Sequence, residues 1–314
     1  MSLFLCLCGL SGSGKSTWAH QWATSEPRPT NVNIISSDAI REELYGDASI
    51  QRNHNKVFAW MLERTKRALD KKETVIYDAT NLNEKRRIAL LNELKGYECP
   101  KICAVFITDP VICAYRQELR SRKVSKEVIW KQIKQFQPPH KSEGWTDIYF
   151  YITKREEFNV NKFFDLAKDF DQHNPHHMFT LDKHCYEAFK HAAENNYGQM
   201  VRDAASWHDI GKLLTQTFDN DKIAHYYSHE NVSAYYYLLL NAEDFSDDDF
   251  STMGLRELYD MRVAHEHKLN VAWLIAHHMD FFKSSEYLNK VKKRVDPMLW
   301  ERLNWLHECD LAAH

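Results

Sequence analysis

The sequence lacks three signals that would place it outside ordinary globular enzymes: paired cysteines, a long hydrophobic run and a strong net charge. None of the seven cysteines forms a C-x-x-C pair, which excludes a zinc knuckle and a redox dithiol and favours a reduced, cytoplasmic protein. No stretch approaches the ~20 apolar residues of a membrane span, and the apolar N-terminus lacks the basic lead of a signal peptide. With a formal net charge of −3, the chain has no general attraction to polyanions or membranes, so local basic patches would have to hold any nucleic acid.

Histidine is scarce in the first half and abundant in the second. Only three of the seventeen histidines precede residue 170, and the other fourteen follow it. Because imidazole is a common metal ligand and proton carrier, this asymmetry predicts different chemistry in the two halves. The length of 314 residues agrees, since it suits two domains of roughly 150 residues each.

Short apolar runs alternate with helical stretches up to about residue 153, which predicts an α/β domain with a parallel sheet covered on both faces. The predicted strands are Leu3–Cys8, Asn33–Ser36, Thr74–Asp78, Ile102–Thr108 and Asp147–Thr153. The predicted helices between them are Ser16–Ala23, Val57–Lys71 and Glu84–Lys95. Beyond them the chain is nearly all helix-like. We therefore predict a first domain at 1–154, a connection at 155–172 with a helix over Glu156–Phe170, and an all-α domain at 173–314.

A phosphate-binding loop follows the first predicted strand. Gly9–Ser16 reads GLSGSGKS and fits G-x-x-x-x-G-K-[ST] at every fixed position, between a strand and a helix. Glycines let backbone N–H groups converge on phosphate oxygens, the lysine reaches the β/γ phosphates and the serine supplies an oxygen to Mg²⁺. The predicted nucleotide contacts are Gly12, Ser13, Gly14, Lys15, Ser16 and Thr17, with Ser16 on the metal and ATP or GTP with Mg²⁺ as the donor.

Residues for the acceptor side follow the next two strands. Asp38 and Arg41 come after the second strand, where a carboxylate could accept a proton from an attacking hydroxyl and an arginine could orient an acceptor phosphate. An N-capping aspartate with a surface arginine is the structural alternative. Asp78 ends the third strand and could bind Mg²⁺ through water or fix the loop.

A basic cluster follows the fourth strand and is a candidate lid over the transferring phosphoryl group. A solvated helix face is the alternative for each single member. The cluster comprises Arg116, Arg120, Arg122 and Lys123.

These motifs resemble phage-type 5′-hydroxyl polynucleotide kinases over roughly residues 1–150. The likeness lies in GLSGSGKSTWA at Gly9–Ala19, in the Asp38-x-x-Arg41 pair and in DATNLNEKRR at Asp78–Arg87. The resemblance implies that Asp38 is the general base for the 5′-hydroxyl, Arg41 a ligand of the acceptor phosphate and Arg122 the lid arginine. Small-molecule kinases carry similar strings.

The second half contains an adjacent His-Asp pair followed by Gly-Lys. His208 and Asp209 can bind one metal ion together, and the carboxylate can bridge to a second. Further candidate ligands lie in or beside separate helical stretches, which could form a metal cage within a helix bundle. They are His184, His229, His277, His278 and Asp310.

The order H…HD…H…H…D resembles the HD phosphohydrolase superfamily over about residues 173–314. The resemblance implies that a first metal is held by His184, His208, Asp209 and Asp310. It implies a second metal on His229 and His278 with Asp209 bridging, His277 competing with His278, and Lys212 facing substrate phosphate. The N/O ligands suit Mn²⁺, Fe²⁺, Co²⁺, Ni²⁺ or Zn²⁺.

Together the two halves resemble enzymes that heal broken nucleic-acid ends by phosphorylating a 5′-hydroxyl and removing a 2′,3′-cyclic, 2′- or 3′-phosphate. RNA or DNA ends are then the expected substrates, with basic patches at Arg116–Lys134 and Lys290–Arg294, and a ligase is the partner expected downstream. Two alternatives stay open. One is a small-molecule or nucleoside kinase fused to an HD nucleotide phosphohydrolase, and the other is a nucleotide-sensing regulator.

Overall fold

Five parallel strands form the sheet of the N-terminal part, in the order β2-β3-β1-β4-β5. The strands are β1 (Phe4–Gly9), β2 (Val32–Ser36), β3 (Thr74–Asp78), β4 (Lys101–Thr108) and β5 (Asp147–Thr153). The predicted parallel sheet is confirmed, with each strand within one residue of its expected bounds. The central strand β1 is wholly buried, as expected for a parallel strand covered on both faces.

The structure is a computed structural model that describes residues 2–25, 31–50, 52–120, 123–157, 159–174, 178–243 and 255–313, the last range with backbone only for 255–260. The chain divides into two units. The first comprises Met1–Trp130 and Glu143–Thr153, and the second comprises Lys131–Ser142 and Lys154–His314. The predicted limit after residue 154 lies close to the start of the longer segment, whereas residues 131–142, expected in the first domain, group with the second unit.

Helices connect the strands of the sheet. They are α1 (Lys15–Thr24), α2 (Ser37–Tyr45), α3 (His54–Asp70), α4 (Glu84–Glu93), α5 (Pro110–Glu118) and α6 (Lys126–Lys134), with a 3₁₀ turn at Lys141–Glu143. Polar residues at the strand ends start several of them. At the start of α4, the side chain of Asn83 accepts a hydrogen bond from the backbone N–H of Arg86. Asp109 caps α5 by accepting from the backbone N–H of Val111, and Pro110 occupies the first position of that helix.

A buried ion pair joins α4 to the 3₁₀ turn in the first unit. Arg87 donates to both carboxylate oxygens of Glu143 at 2.8 and 2.7 Å, and both side chains are fully buried. Arg87 also donates to the carbonyl of Asn81, and Trp145 donates to Glu143. Because its partners satisfy the buried charge, Arg87 has a structural role within the segment whose string resembles the polynucleotide kinases.

The second unit is mostly helical. Its helices are α7 (Val160–Ala167), α8 (Leu181–Glu194), α9 (Gln199–Trp207), α10 (Lys212–Thr215), α11 (His229–Asn241), α12 (Leu255–His277), α13 (Ser285–Arg294) and α14 (Pro297–Ala312). A 3₁₀ segment at His278–Phe282 follows α12, and a short antiparallel hairpin pairs β6 (Thr217–Phe218) with β7 (Ala224–His225). Helix α9 packs against α8, α12 and α14, so the core lies among these four helices.

Side chains from residues 131–142 complete the core of this unit. The ring of Phe136 meets that of Tyr235 edge-on at 5.0 Å, and both are fully buried. Asn231 donates to the carbonyl of Lys134 at 2.8 Å, and His140 lies 2.9 Å from the amide oxygen of Asn270.

The predicted connecting helix Glu156–Phe170 is represented by the shorter α7. Phe163 of α7 is buried and stacks on Trp207 and Tyr236 of the helical unit, at 6.1 and 5.1 Å between ring centroids. Within the described ranges, no helix is both long and apolar enough to cross a membrane.

Candidate active sites

The phosphate-binding loop connects β1 to α1 in a conformation that requires glycine. Gly12 and Gly14 have φ of 85° and 100°, in the left-handed region that other residues rarely adopt. A Cβ on Gly12 would also lie 2.6 Å from the carbonyl oxygen of Cys113. The loop therefore brings its backbone closer to α5 than a side chain would allow.

Lys15 lies inside this loop. Its Nζ donates to the carbonyls of Gly9 at 3.0 Å and Leu10 at 2.7 Å and to Ser13 Oγ at 3.3 Å, and the side chain is buried. Burial lowers the pKa of the Lys15 ammonium, although the carboxylate of Asp78 opposes the shift. The Lys15 ammonium is thus held within the loop, where the oxygens of a polyphosphate could replace these carbonyls as its partners.

Ser16 is hydrogen-bonded to the acidic residue that ends β3. Ser16 Oγ donates to Asp78 Oδ2 at 2.8 Å. Burial raises the pKa of the Asp78 carboxyl, against the effects of Lys15 and Ser16. Because β1 and β3 are neighbours, the loop serine and this carboxylate meet at one edge of the sheet. A hydroxyl and a carboxylate in this relation are the groups that hold Mg²⁺ in P-loop enzymes.

Asp38 stands in the first turn of α2, after β2, and Arg41 in the second turn. The helix is capped by Ser36, whose side chain accepts from the backbone N–H of Asp38, so the capping role that was the alternative for Asp38 belongs to Ser36. The Asp38 side chain is 57% exposed and its carboxylate lies 3.3 Å from Arg41 Nη1. Arg41 is buried, with Nη1 also on the carbonyl of Ser37 at 3.1 Å, so the surface-arginine alternative does not describe it.

Arg116, one of the predicted lid arginines, contacts the phosphate-binding loop. Its Nη1 donates to the carbonyl of Gly12 at 3.4 Å. If Gly14 carried a Cβ, that atom would lie 3.5 Å from the same Nη1. The residue assigned to the lid by resemblance, Arg122, lies outside the described residues. The basic cluster after β4 predicted that an arginine lies near the phosphate-binding loop. Which arginine does so depends on the position of each residue relative to the end of α5.

Six buried side chains of the second unit converge on one centre. The structure brings together the six ligands that the resemblance implies, in two groups that share Asp209, and within each group the potential ligand atoms all lie within 4.8 Å of one another. The first group is His184, His208, Asp209 and Asp310, and the second is Asp209, His229 and His278. Helix α8 carries His184, α11 begins with His229, the end of α12 leads into His278, and α14 carries Asp310.

The two carboxylate oxygens of Asp209 face different groups. Oδ2 lies 3.1 Å from His184 Nε2, whereas Oδ1 lies 3.0 Å from His229 Nε2 and 3.5 Å from His278 Nε2. Asp310 Oδ1 lies 3.3 Å from His184 Nε2 on the first side. Asp209 therefore has the position of a ligand that could bridge two ions.

All four imidazoles are oriented in the same way. Each Nδ1 lies 2.7 to 3.0 Å from a backbone carbonyl, which can only accept a hydrogen bond, so Nδ1 carries the proton and Nε2 points to the centre. The pairs are His184 with Ala313, His208 with Ala205, His229 with Tyr226 and His278 with Ile275. Backbone carbonyls in these positions are the usual outer partners of metal-bound histidines, so the donor set fits a transition metal with N and O ligands.

The field of the cluster favours positive charge. Burial disfavours a charged His184, but Asp209 and Asp310 outweigh it and raise the pKa of this imidazole to about 9. Burial likewise disfavours ionisation of Asp209, yet Lys212 and the histidines hold the pKa of its carboxyl well below the usual range. A divalent cation would satisfy the same carboxylates and Nε2 atoms at once.

The adjacent histidines His277 and His278 have different environments. His278 Nε2 lies 3.2 Å from His229 Nε2, inside the second group. His277 instead directs Nδ1 to Asp280 Oδ2 at 2.5 Å and stacks on Trp273 at 4.2 Å. Of the two candidates, only His278 therefore has its ligand atom at the centre.

Lys212, expected to face substrate phosphate, is buried at the edge of the cluster. Its Nζ lies 2.6 Å from Asp209 Oδ2 and donates to Gln172 Oε1 at 2.9 Å. Gln172 is itself buried and was not anticipated, because a glutamine in the loop between α7 and α8 carries no motif. Gln172 and Asp209 together hold the Lys212 ammonium at the edge of the buried cluster.

Comparisons with known proteins find a family match in the N-terminal part and several similar solved structures. The family described as an AAA domain matches residues 4–139. A gluconokinase from Sinorhizobium meliloti 1021 is 21% identical, with a TM-score of 0.34 over 47% of this chain and 82% of its own. The tunicamycin resistance protein of Deinococcus radiodurans is 17% identical, with a TM-score of 0.33 over 46% and 88%.

A fungal RNA kinase is 14% identical, with a TM-score of 0.37 over 52% of this chain and 42% of its own. The family match covers the sheet strands β1 to β4 and the phosphate-binding loop. The N-terminal part of the chain is accordingly a P-loop domain of α/β fold.

Proposed function

We propose that this protein heals broken nucleic-acid ends, with a 5′-hydroxyl kinase in the P-loop part and a metal-dependent phosphohydrolase in the helical part. The observation that carries the proposal is that one chain holds two groups of side chains suited to phosphoryl chemistry, one in each unit. One set contains Lys15 and the Ser16–Asp78 pair, and the other is the buried histidine and carboxylate cluster around Asp209.

In the kinase half, Asp38 takes the proton of the attacking hydroxyl. The oxygen then bonds to the γ-phosphorus as the bond from that phosphorus to the bridging oxygen breaks, and the nucleoside diphosphate leaves. Lys15 and Arg116, together with Arg122, neutralise charge on the transferring group. Exposure of the Asp38 carboxylate supports this role, since a large acceptor must reach it.

The surroundings of Arg41 support the proposal that the acceptor carries its own phosphate. Its guanidinium is buried and held by the carbonyl of Ser37 beside the Asp38 carboxylate. Such a fixed cation suits the 3′-phosphate of the nucleotide whose 5′-hydroxyl is attacked. A free nucleoside has no group to place there.

In the hydrolase half, His184, His208, Asp209 and Asp310 would hold one metal, and His229, His278 and Asp209 a second. Bound divalent ions supply Lewis acidity toward a phosphoryl oxygen and acidify water near neutral pH. Lys212 orients the Asp209 carboxylate at 2.6 Å and presents its charge to the incoming phosphate. A terminal 2′,3′-cyclic, 2′- or 3′-phosphate is the proposed substrate, because its removal completes the repair that 5′ phosphorylation begins.

The acceptor is tested by a length series of nucleoside, nucleoside 3′-monophosphate, dinucleotide and ~10-mer RNA and DNA. Activity should appear once the 3′-phosphate is present, and Arg41→Ala should raise KM for those acceptors. Arg64→Ala, which removes an exposed ion pair to Glu43, is the matched control and should leave KM unchanged. Equal efficiency on the bare nucleoside would favour a small-molecule kinase instead, and no turnover in either half would favour a nucleotide sensor.

A further inference from the structure

The β6–β7 hairpin and the chain that follows it display aromatic rings to solvent. Tyr227 is 68% exposed and Phe218 is 54% exposed. The ring of His225 lies almost parallel to that of Tyr227, with 5.6 Å between centroids and an angle of 11° between planes. The Tyr227 ring is exposed and the His225 ring only half-buried, so the pair gains little from burial and folding of the core does not account for it.

The same chain segment leads directly into the metal cluster. Tyr227 lies between Tyr226 and the N-cap of α11, and α11 begins with His229. The carbonyl of Tyr226 accepts from His229 Nδ1 at 2.8 Å, and the ring of Tyr226 lies 5.4 Å from Lys212 Nζ. Tyr226 thus faces the cluster, while its neighbour Tyr227 faces solvent beside it.

One carboxylate fixes both the turn and the stacked ring. Asp219 Oδ2 accepts from His225 Nε2 at 2.9 Å, and Asp219 Oδ1 accepts from the backbone N–H groups of Asp221 and Ile223 at 3.0 and 2.9 Å. The imidazole edge therefore has a partner, and the carboxylate of Asp219 helps to hold the shape of the turn. A surface of this kind loses little conformational entropy when a flat ligand stacks on it.

We propose that the His225–Tyr227 pair is a stacking platform for the base of the terminal nucleotide, whose phosphate enters the cluster around Asp209. This inference rests on the proposed hydrolase function and adds the part of the substrate that the metal site does not contact. Stacking on an aromatic ring suits any base, because every base has a π-face, so the platform would select nucleotide ends over other phosphate esters without reading sequence.

The experiment compares a nucleoside 2′,3′-cyclic phosphate with glycerol 1,2-cyclic phosphate, which has the same reacting ring and no base. Tyr227→Ala should raise KM for the nucleoside substrate at least about fivefold, as loss of a base stack does. It should leave kcat/KM for the glycerol ester unchanged. Tyr227→Phe should behave as the original protein, and Tyr115→Ala, which removes a tyrosine of similar exposure from α5, is the control.

An equal loss on both substrates would overturn the platform and assign Tyr227 to the structure of the cluster. No effect on either substrate would overturn it as well. If the original protein hydrolyses neither ester, the hydrolase proposal fails, and equilibrium binding by calorimetry still tests the platform. Nucleoside 3′-monophosphate should then bind more tightly than glycerol phosphate, and Tyr227→Ala should abolish the difference; an unchanged difference would contradict the inference.

Discussion

The Nε2 atoms of His184 and His208 lie 3.1 Å apart, although each ring directs its Nδ1 to a backbone carbonyl. Two neutral imidazoles held in this way turn lone pairs toward each other, which is unfavourable unless a proton or a cation lies between them. Asp209 and Asp310 reinforce the demand for positive charge from the same side. This relationship is the structural basis for proposing a metal centre in the helical unit.

Asp209→Ala should remove bound transition metal and phosphatase activity together, because one carboxylate faces both ligand groups. Elemental analysis of the purified variant is the direct measurement, and kinase activity with Mg²⁺ should survive. Asp203→Ala is the control, since Asp203 of α9 contacts His267 at 2.8 Å and has no ligand atom in the cluster. Full metal occupancy in Asp209→Ala would rule out the bridging role.

Lys15→Ala should reduce 5′ phosphorylation by about 10²-fold or more and leave phosphate release by the helical part intact. The reason is that the Lys15 ammonium lies within the phosphate-binding loop, whereas the proposed metal ligands belong to a different unit. Both activities should be measured on one folded preparation. Loss of both would contradict the assignment to two separate sites.

Asp38→Asn should lower kinase turnover by about 10²–10⁴ while nucleotide still binds, because the variant keeps the size of the side chain and loses the base. Ser36→Ala gives the matched comparison. It removes the helix cap and should cost about 1 kcal/mol of stability with little change in turnover. Turnover of Asp38→Asn close to that of the original protein would assign the catalytic proton transfer to another group.

Phe136→Ala should destabilise the helical unit by about 3–5 kcal/mol, since it removes a fully buried ring that packs on Tyr235. Denaturant unfolding followed separately by kinase and phosphatase activity would locate the loss. Val128→Ala, at a half-exposed position of α6, should have little effect. If the kinase activity alone were lost at lower denaturant, residues 131–142 would belong energetically to the P-loop part.

The sequence predicts the sheet well because β1 and β4 are buried on both faces and appear as short apolar runs. It also predicts the phosphate-binding loop, whose shape depends on local residues such as Gly12 and Gly14. The packing of residues 131–142 on the helical unit was not predictable in this way. The sequence identifies Phe136 as hydrophobic but does not reveal its packing partner, because Tyr235 lies about 100 residues away.

The candidate sites show the same limit. The HD pair and its helical histidines bring the right residue types into the prediction, but periodicity cannot separate His277 from His278, which are adjacent at the end of α12. Only the fold distinguishes the two side chains, because it places Asp280 beside His277 and His229 beside His278. Gln172 was missed for a related reason, because its role depends on meeting Lys212 across 40 residues of chain.

End healing is tested most directly by one RNA that carries a 5′-hydroxyl and a 2′,3′-cyclic phosphate, incubated with the protein, ATP, and Mg²⁺ or Mn²⁺. Both ends are then mapped by mass spectrometry. The account predicts a product with a 5′-phosphate and a 3′-end from which the phosphate has been removed. Lys15→Ala should lose only the 5′ phosphorylation, and Asp209→Ala should lose only the removal of phosphate from the 3′-end. An RNA that returns with both ends unaltered, while a small phosphate acceptor or a free nucleotide is turned over in the same mixture, would contradict it.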